Sequence, residues 1–491
     1  MIQIIINGTK CSIKGETDTE FLKKLDNELA FKVQGAEHTR AFKGYFSHGE
    51  FVKWDGIHRI LTRRLTFPYG LLSRVKSFYR KHGRPFNVED QRNTPSPIQT
   101  IDIQKKLIEI NKDPYPYQWE ALEAVKNNDC GIIRAATGSG KTLVAAMMTS
   151  YFGKRTIIYV IGKDLLHQLH KFFSQIFDQE IGIIGDGLCK IRDINIASVW
   201  SVGQAVGVEK SKLLLDTADS EKKIDKNKYR KILDLMKTAK LHIFDECHLA
   251  ACDTIQKISR KINPEYIYGM SASPWRDDGA GLLIEGIFGS NIIDISASYL
   301  IKNNYLVKPY IKFLKVPKLN VKLPRKYPTV YKHYIIENEV RNNKIIKGAN
   351  KLVEQGFKPL VLFTRLNHGK KLFDEISKTI PSVLLSGKSK TEDREKAKDQ
   401  LESGEIKCIV ASTIFDIGVD LPALSGLIIA GGGKSSVRAC QRIGRVIRSY
   451  PSKTMAAVID FYDQAPFLRQ HSAIRYKIYS SEEEFDVTWP A

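Results

Sequence analysis

Residues 135–142 read AATGSGKT, an order of small residues, glycines, a lysine and a hydroxyl that suits one kind of ligand. Gly138 and Gly140 have no Cβ, so the backbone there can turn tightly and approach a phosphate closely. With Thr137 and Ser139 between and before them, successive N–H groups can point into one loop, in front of the positive end of a following helix. Lys141 offers a point charge to the β- and γ-phosphates, and the Thr142 hydroxyl can ligate Mg²⁺. Ala135 stands where the usual pattern has glycine, a small-residue variant. An apolar run before the loop reads as a buried strand, and apolar periodicity from Lys141 onward reads as a helix. A merely flexible Gly/Ser loop would not be flanked in this way. A second cluster, Asp245-Glu246-Cys247-His248, follows the apolar run LHIF. A carboxylate at a strand end can hold Mg²⁺, and its neighbour can orient and deprotonate an attacking water. That assigns Asp245 to the metal and Glu246 to the water. Together the clusters describe a site for a nucleoside triphosphate.

Elements must hold these groups in place, and the pattern supplies them. From residue 112 to about 300, strand-like runs at 131–134, 156–161, 194–199, 241–244 and 266–270 alternate with helical stretches. This alternation predicts a parallel, doubly wound α/β sheet with its sites at the carboxyl ends of the strands. From about 305 the alternation repeats, with strands expected at 360–363, 383–385, 408–410, 427–429 and 457–459. The second half has no GK[ST] loop, so the two halves are expected to share one cleft. Residues 207–240, rich in Lys, Asp and Leu, read as a charged insertion, a solvated helix pair within the first lobe.

Residues 1–85 form a separate small α+β unit, and 86–111, with Pro95 and Pro97, read as a linker. The unit opens with the strand-like IQIIIN, a turn at Asn7-Gly8 and an alternating segment, a hairpin signature. Helical spacing covers 21–31 and 71–81, with an aromatic and basic stretch between them. Arg63, Arg64 and Arg74 make this region a candidate contact for a duplex backbone. The competing reading, aromatics as core and charges as a solvated face, stands beside it, and Trp54 is open between base stacking and core packing.

With 76 Lys+Arg against 54 Asp+Glu, the formal net charge is +22, which suits a life near phosphate backbones. Seven cysteines without CxxC spacing argue against a disulfide framework or a zinc ribbon and fit a reducing cytoplasm. The start has no basic n-region, and its apolar run is too short for a signal or a membrane span.

ATGSGKT, DECH, SASPWR at 271–276 and QRIGRVIR at 441–448, in this order, resemble the motif set of superfamily 2 helicases over residues 115–465. The resemblance implies two RecA-like lobes that close on ATP. Under it, Tyr117-Gln118 is similar to the adenine-reading glutamine, and Gly418 and Asp420 to the ribose-side segment. Ser198 and Thr413 fall in segments that touch the nucleic-acid backbone in the family. Arg445 and Arg448 match the arginine fingers, whose fixed donor forks can track charge on the γ-phosphate. His248, Ser271, Ser273, Gln441 and Arg442 match residues that couple hydrolysis to lobe closure. DECH, with a glutamine opening the last motif, points away from the DEAD-box RNA group. It points toward the duplex-DNA branch that includes XPB-type and type I restriction translocases. KWDG with FPYGL downstream is similar to the amino-terminal region of UvsW-type phage helicases, which remodel branched DNA.

The expectation is therefore an ATP-dependent DNA helicase or translocase that unwinds or branch-migrates forked and four-way DNA in phage-type replication, recombination and repair. ATP and Mg²⁺ are the expected cofactors, and the DNA backbone is the expected partner. A monomer in the cytoplasm, the bacterial host's if phage-encoded, with no membrane contact completes it. An RNA helicase is one alternative. Another is an ATP-gated duplex translocase or scaffold without strand separation, against which the intact Glu246, Arg445 and Arg448 argue. No nuclease-type carboxylate cluster lies outside the motor, which weighs against a restriction subunit.

Overall fold

Runs such as TIIYV at Thr156–Val160 and PLVLF at Pro359–Phe363 are buried at every position. Strands covered on both faces by helices must be apolar throughout, and this is how the parallel sheets of the chain arise. The computed structural model describes residues 1–47, 50–92, 102–110, 112–208, 226–274, 279–319, 326–387, 389, 391–412, 421–433, 436–451 and 453–490. By internal contacts the chain forms two units. One comprises Met1–Arg134 and Gly140–Asp294, and the other Ala135–Ser139 and Ile295–Ala491.

The first unit contains an eight-stranded sheet. Its strand order is Leu188–Lys190, Gly182–Gly185, Ile194–Ser198, Thr156–Val160, Leu241–Asp245, Tyr266–Ser271, Cys130–Ala135 and Asn291–Ile295. The five expected strands are all present, and their mutual pairings are parallel. Missing from the sequence reading was the hairpin at 182–190, where Gly185, Asp186 and Gly187 all have positive φ. The charged segment also differs from expectation. Helix Lys226–Thr238 buries Ile232, Leu235 and Met236 in the core of the unit, so this half of it is a packed element, not a solvated one. Residues 209–225 lie outside the described residues.

The same unit carries a four-stranded sheet in the order Thr66–Pro68, Lys10–Lys14, Ile2–Asn7, Phe86–Asp90. The predicted hairpin is there, and Phe86–Asp90 pairs in parallel with the first strand. The small domain thus runs past residue 85, and the first part of the expected linker is a strand. Two helices cover this sheet. Thr19–Glu28 is capped by Asp18, whose carboxylate accepts from the Glu20 and Phe21 N–H groups. Leu72–Lys81 buries Leu72, Val75 and Tyr79, the spacing of one helical face.

This domain is bolted to the larger sheet. At Gly70 an added Cβ would lie 2.1 Å from the Glu285 carbonyl oxygen and 2.6 Å from the Gly289 nitrogen, so backbone touches backbone. Arg74 makes a two-pronged pair with Glu285 at 2.9 and 2.8 Å and reaches Glu28 at 3.0 Å. The Arg92 guanidinium stacks 4.5 Å over the Tyr69 ring and reaches Asp129 at 3.3 Å.

The second unit is built on seven parallel strands, ordered Ser382–Leu385, Cys408–Ser412, Pro359–Phe363, Gly426–Ile428, Met455–Asp463, Lys308–Val316 and Asp486–Thr488. Its core gathers Ile345, Val361, Phe363, Val410, Ile428 and Phe461. No helix among the described residues is long and apolar enough to cross a membrane.

Gly70→Ala is expected to lower the stability of the chain by about 1–3 kcal/mol, as overpacking does. Urea unfolding, monitored through the tryptophans, measures it.

Candidate active site

The phosphate-loop candidate lies between strand Cys130–Ala135 and helix Lys141–Phe152, as its function requires. Gly138 and Gly140 have φ of 92° and 77°, conformations in which a side chain would be strained. An added Cβ at Gly140 would fall 2.3 Å from Gln118 Nε2, so the Gln118 amide lies directly against the loop. Gln118 is held there by its other end. Its Oε1 accepts from the Tyr115 N–H at 3.0 Å, closing a box at the start of helix Pro116–Lys126. Ser139 is buried, Thr137 is half-buried, and Lys141 and Thr142 are half-buried in the first turn of their helix.

Asp245 ends the strand Leu241–Asp245. Burial, then the neighbouring Glu246 charge, pushes its carboxyl up to about 6, while Lys141 and the Glu246 N–H act in the opposite direction. The Glu246 N–H donates to Asp245 Oδ1 at 3.0 Å. Glu246 itself sits at φ 54°, ψ 49°, a left-handed conformation that costs a non-glycine residue about 1–3 kcal/mol. That turn sends the Glu246 side chain back toward His248, whose Nδ1 is 3.2 Å from Glu246 Oε2. The same Nδ1 is 3.1 Å from Ser271 Oγ, which also accepts from the Ser273 N–H at 3.2 Å. Register explains the meeting. Asp245 pairs with Met270, and Ser271 with Arg134, so all three strands end at one edge.

In the second unit, helix Ser436–Val446 carries Gln441, Arg442 and Arg445, and Arg448 follows two residues past its end. Arg442 is buried and its Nη1 donates to the Gly432 carbonyl at 3.2 Å. Three further side chains hold the adjoining carbonyls. Arg341 donates to Ala430 O at 2.6 Å, Tyr331 to Gly431 O at 2.8 Å and Arg475 to Gly433 O at 2.5 Å. Buried carboxylates hold the two outer arginines in turn, Asp463 on Arg341 at 2.9 Å and Asp460 on Arg475 at 2.8 Å. Lys453 Nζ donates to the carbonyls of Pro422, Leu424 and Arg448. Burial, with Arg448 adding to it, pushes that ammonium down to about 7. The sequence reading did not single out Tyr331, Arg341, Asp460, Asp463, Lys453 or Arg475. Their partners are distant in the chain, and no local pattern marks them.

Ser198 ends its strand beside Gly185. Thr413, Gly418 and Asp420, with Trp275 and Arg276, lie outside the described residues. Arg63 and Arg64 are exposed. Arg74 is not available in the same way, since its guanidinium is committed to Glu285 and Glu28, and it leaves the set of candidate nucleic-acid contacts. The Trp54 indole N–H donates to the Ile57 carbonyl at 2.8 Å, within its own turn.

Two family models match the chain. Residues 111–276 match the res subunit of type III restriction enzymes, and 343–450 match the helicase conserved C-terminal domain. A protein of Enterobacteria phage T4 named ATP-dependent DNA helicase uvsW is 27% identical over 453 residues, covering 86% of this chain and 84% of its own. The DNA 3'-5' translocase XPB2 of Sulfurisphaera tokodaii is 28% identical over 370 residues, covering 68% of this chain and 78% of its own. Among solved structures, S. cerevisiae Dbp5 bound to RNA and ADP BeF3 is similar in fold, with a TM-score of 0.54 at 14% identity over 79% of this chain and 93% of that one.

Replacing Glu246 by Gln is expected to cut ATP turnover by about 10²–10⁴ while leaving nucleotide binding near wild type, the signature of a lost base. Steady-state ATPase and fluorescent-nucleotide titration separate the two effects.

Proposed function

Taking the chain as what its two matched domains make it, a superfamily 2 helicase, we propose that it is an ATP-driven DNA motor that remodels forked and four-way DNA. The observation that carries the reading is the convergence of Lys141, Asp245, Glu246 and His248 at one sheet edge, with Ser271 joined to them.

In this reading the glycine loop and Lys141 hold the β- and γ-phosphates of ATP, and Gln118 lies where an adenine edge would be read. Thr142 and Asp245 suit Mg²⁺, because a hydroxyl and a half-buried carboxylate are hard oxygen donors and phosphates complete such a shell. When bound, that ion would neutralise charge developing on the phosphate oxygens. Glu246 takes the proton of the attacking water. Arg445 and Arg448 meet charge on the γ-phosphate, a contribution typically worth 10³–10⁵ in rate. The His248–Ser271–Ser273 chain then reports the state of Glu246 to the segment after Ser273.

DNA is favoured over RNA because two relatives matched over more than three-quarters of their own length, from phage T4 and Sulfurisphaera tokodaii, are named for DNA. Branched DNA is favoured by the KWDG and FPYGL likeness and by a basic small domain joined stiffly to the first lobe. Arg63 and Arg64, exposed and without hydrogen-bond or ion-pair partners among the described residues, are its proposed backbone contacts. Such contacts position the protein without reading sequence.

Lys141→Ala is expected to abolish hydrolysis and largely spare DNA binding. In strand displacement, the wild type should resolve a four-way junction faster than a linear partial duplex of the same sequences. Equal rates would leave a general helicase, and stimulation of ATPase by RNA alone would turn the reading to RNA. DNA affinity should also fall steeply with salt, with log affinity dropping about 0.9 per phosphate contact for each unit of log salt concentration.

A further inference from the structure

The second unit carries an exposed aromatic group that no motif explains. Phe467 is 45% exposed, and its φ of 64° and ψ of −46° are rare for a residue with a Cβ. The Leu468 N–H donates to the Pro466 carbonyl at 2.7 Å, which closes a γ-turn about Phe467 of the strained, positive-φ kind. Tyr327, 38% exposed, stands edge-on to it with ring centroids 5.9 Å apart. The His471 ring lies 5.6 Å from Tyr327 on another side. Below them Val330, Tyr331, Tyr334, Ile335, Ala465 and Leu468 form a small buried cluster. The rings therefore stand on a firm base.

A single exposed aromatic ring means little on a protein surface. Here a strained backbone holds a large ring in water beside a second one, and neither strain nor exposure serves packing. Strain of this kind persists where a site uses it. Position and charge indicate the use. Phe467 follows strand Met455–Asp463, Arg365 follows Pro359–Phe363, and Gly431, bonded to Tyr331, follows Gly426–Ile428. All three lie past the carboxyl ends of parallel strands in one sheet, where α/β sheets take their ligands. Arg365 is exposed, and its guanidinium has no hydrogen-bond or ion-pair partner among the described residues. Burial raises the Tyr327 phenol above its ordinary range, and Arg365 and Arg475 act against that rise, so the platform sits in a cationic field. Flat apolar rings beside a free guanidinium fit a flat ring tethered to an anion.

We propose that Tyr327 and Phe467 form a stacking platform for an unpaired base of single-stranded DNA, with Arg365 on the adjoining phosphate. The proposal rests on the DNA-motor reading and adds to it a base contact on the second lobe. Stacking on such rings tolerates any sequence, because every base has a π-face.

The test is equilibrium binding of the full chain to a single-stranded oligonucleotide carrying 2-aminopurine and to a blunt duplex, with DNA-free ATPase measured alongside. Phe467→Ala and Tyr327→Ala should each weaken single-strand binding about tenfold, with duplex binding and basal ATPase changed less than about twofold. Phe467→Trp should restore single-strand binding. Phe467→Gly should keep or raise the melting temperature while losing the single strand, a pairing that a purely structural role cannot produce. Unchanged single-strand binding in both alanine variants, with a wild type whose ATPase DNA stimulates, overturns the platform and leaves the motor standing. A wild-type ATPase that no DNA stimulates overturns the motor, and the platform with it.

Discussion

Asp245 ends its strand half-buried, where burial and the neighbouring Glu246 charge both disfavour the ionised carboxylate. The half-buried Lys141 and the Glu246 N–H are what the first lobe supplies against that cost. Neither could be present without the rest of the fold. The ammonium is brought by a helix that starts only after two glycines have turned the chain. The amide is brought by a left-handed turn at Glu246 that the following short helix must hold.

The second lobe meets the same kind of need, acceptors that require donors, along a stretch of backbone. Four consecutive carbonyls, from Ala430 to Gly433, are each engaged by a buried or half-buried side chain from elsewhere in the lobe. Without these bonds the carbonyls would be left without partners in a dry interior, which costs more than the bonds themselves gain. The helix that carries Gln441, Arg442 and Arg445 follows this segment in the chain, and Arg442 ties the two together through the Gly432 carbonyl. Lys453 holds the far end through the Arg448 carbonyl.

Much of this is legible in the chain because strands of a parallel sheet are short apolar runs, most of them buried on both faces. The phosphate loop and DECH were legible for a different reason, since their chemistry demands fixed residue types at fixed spacing. Strand Lys308–Val316 escaped because lysines at 308, 312 and 315 break its apolar run and make it resemble a surface element. Phe86–Asp90 escaped because it is largely exposed and earns its place only by pairing with the first strand. Helix Lys226–Thr238 was mistaken for solvated since lysines outnumber its three buried residues. Arg341 and Asp463 meet across 122 residues of chain, a distance over which no sequence pattern carries information.

The joint at Gly70 has a mechanical meaning. Where two backbones touch with no side chain between them there is nothing soft to compress, and the Arg74 fork and the Arg92–Tyr69 stack resist rotation about that point. Such a coupling has low compliance. The small domain is therefore held to the first lobe as part of one stiff body, not as a tethered appendage.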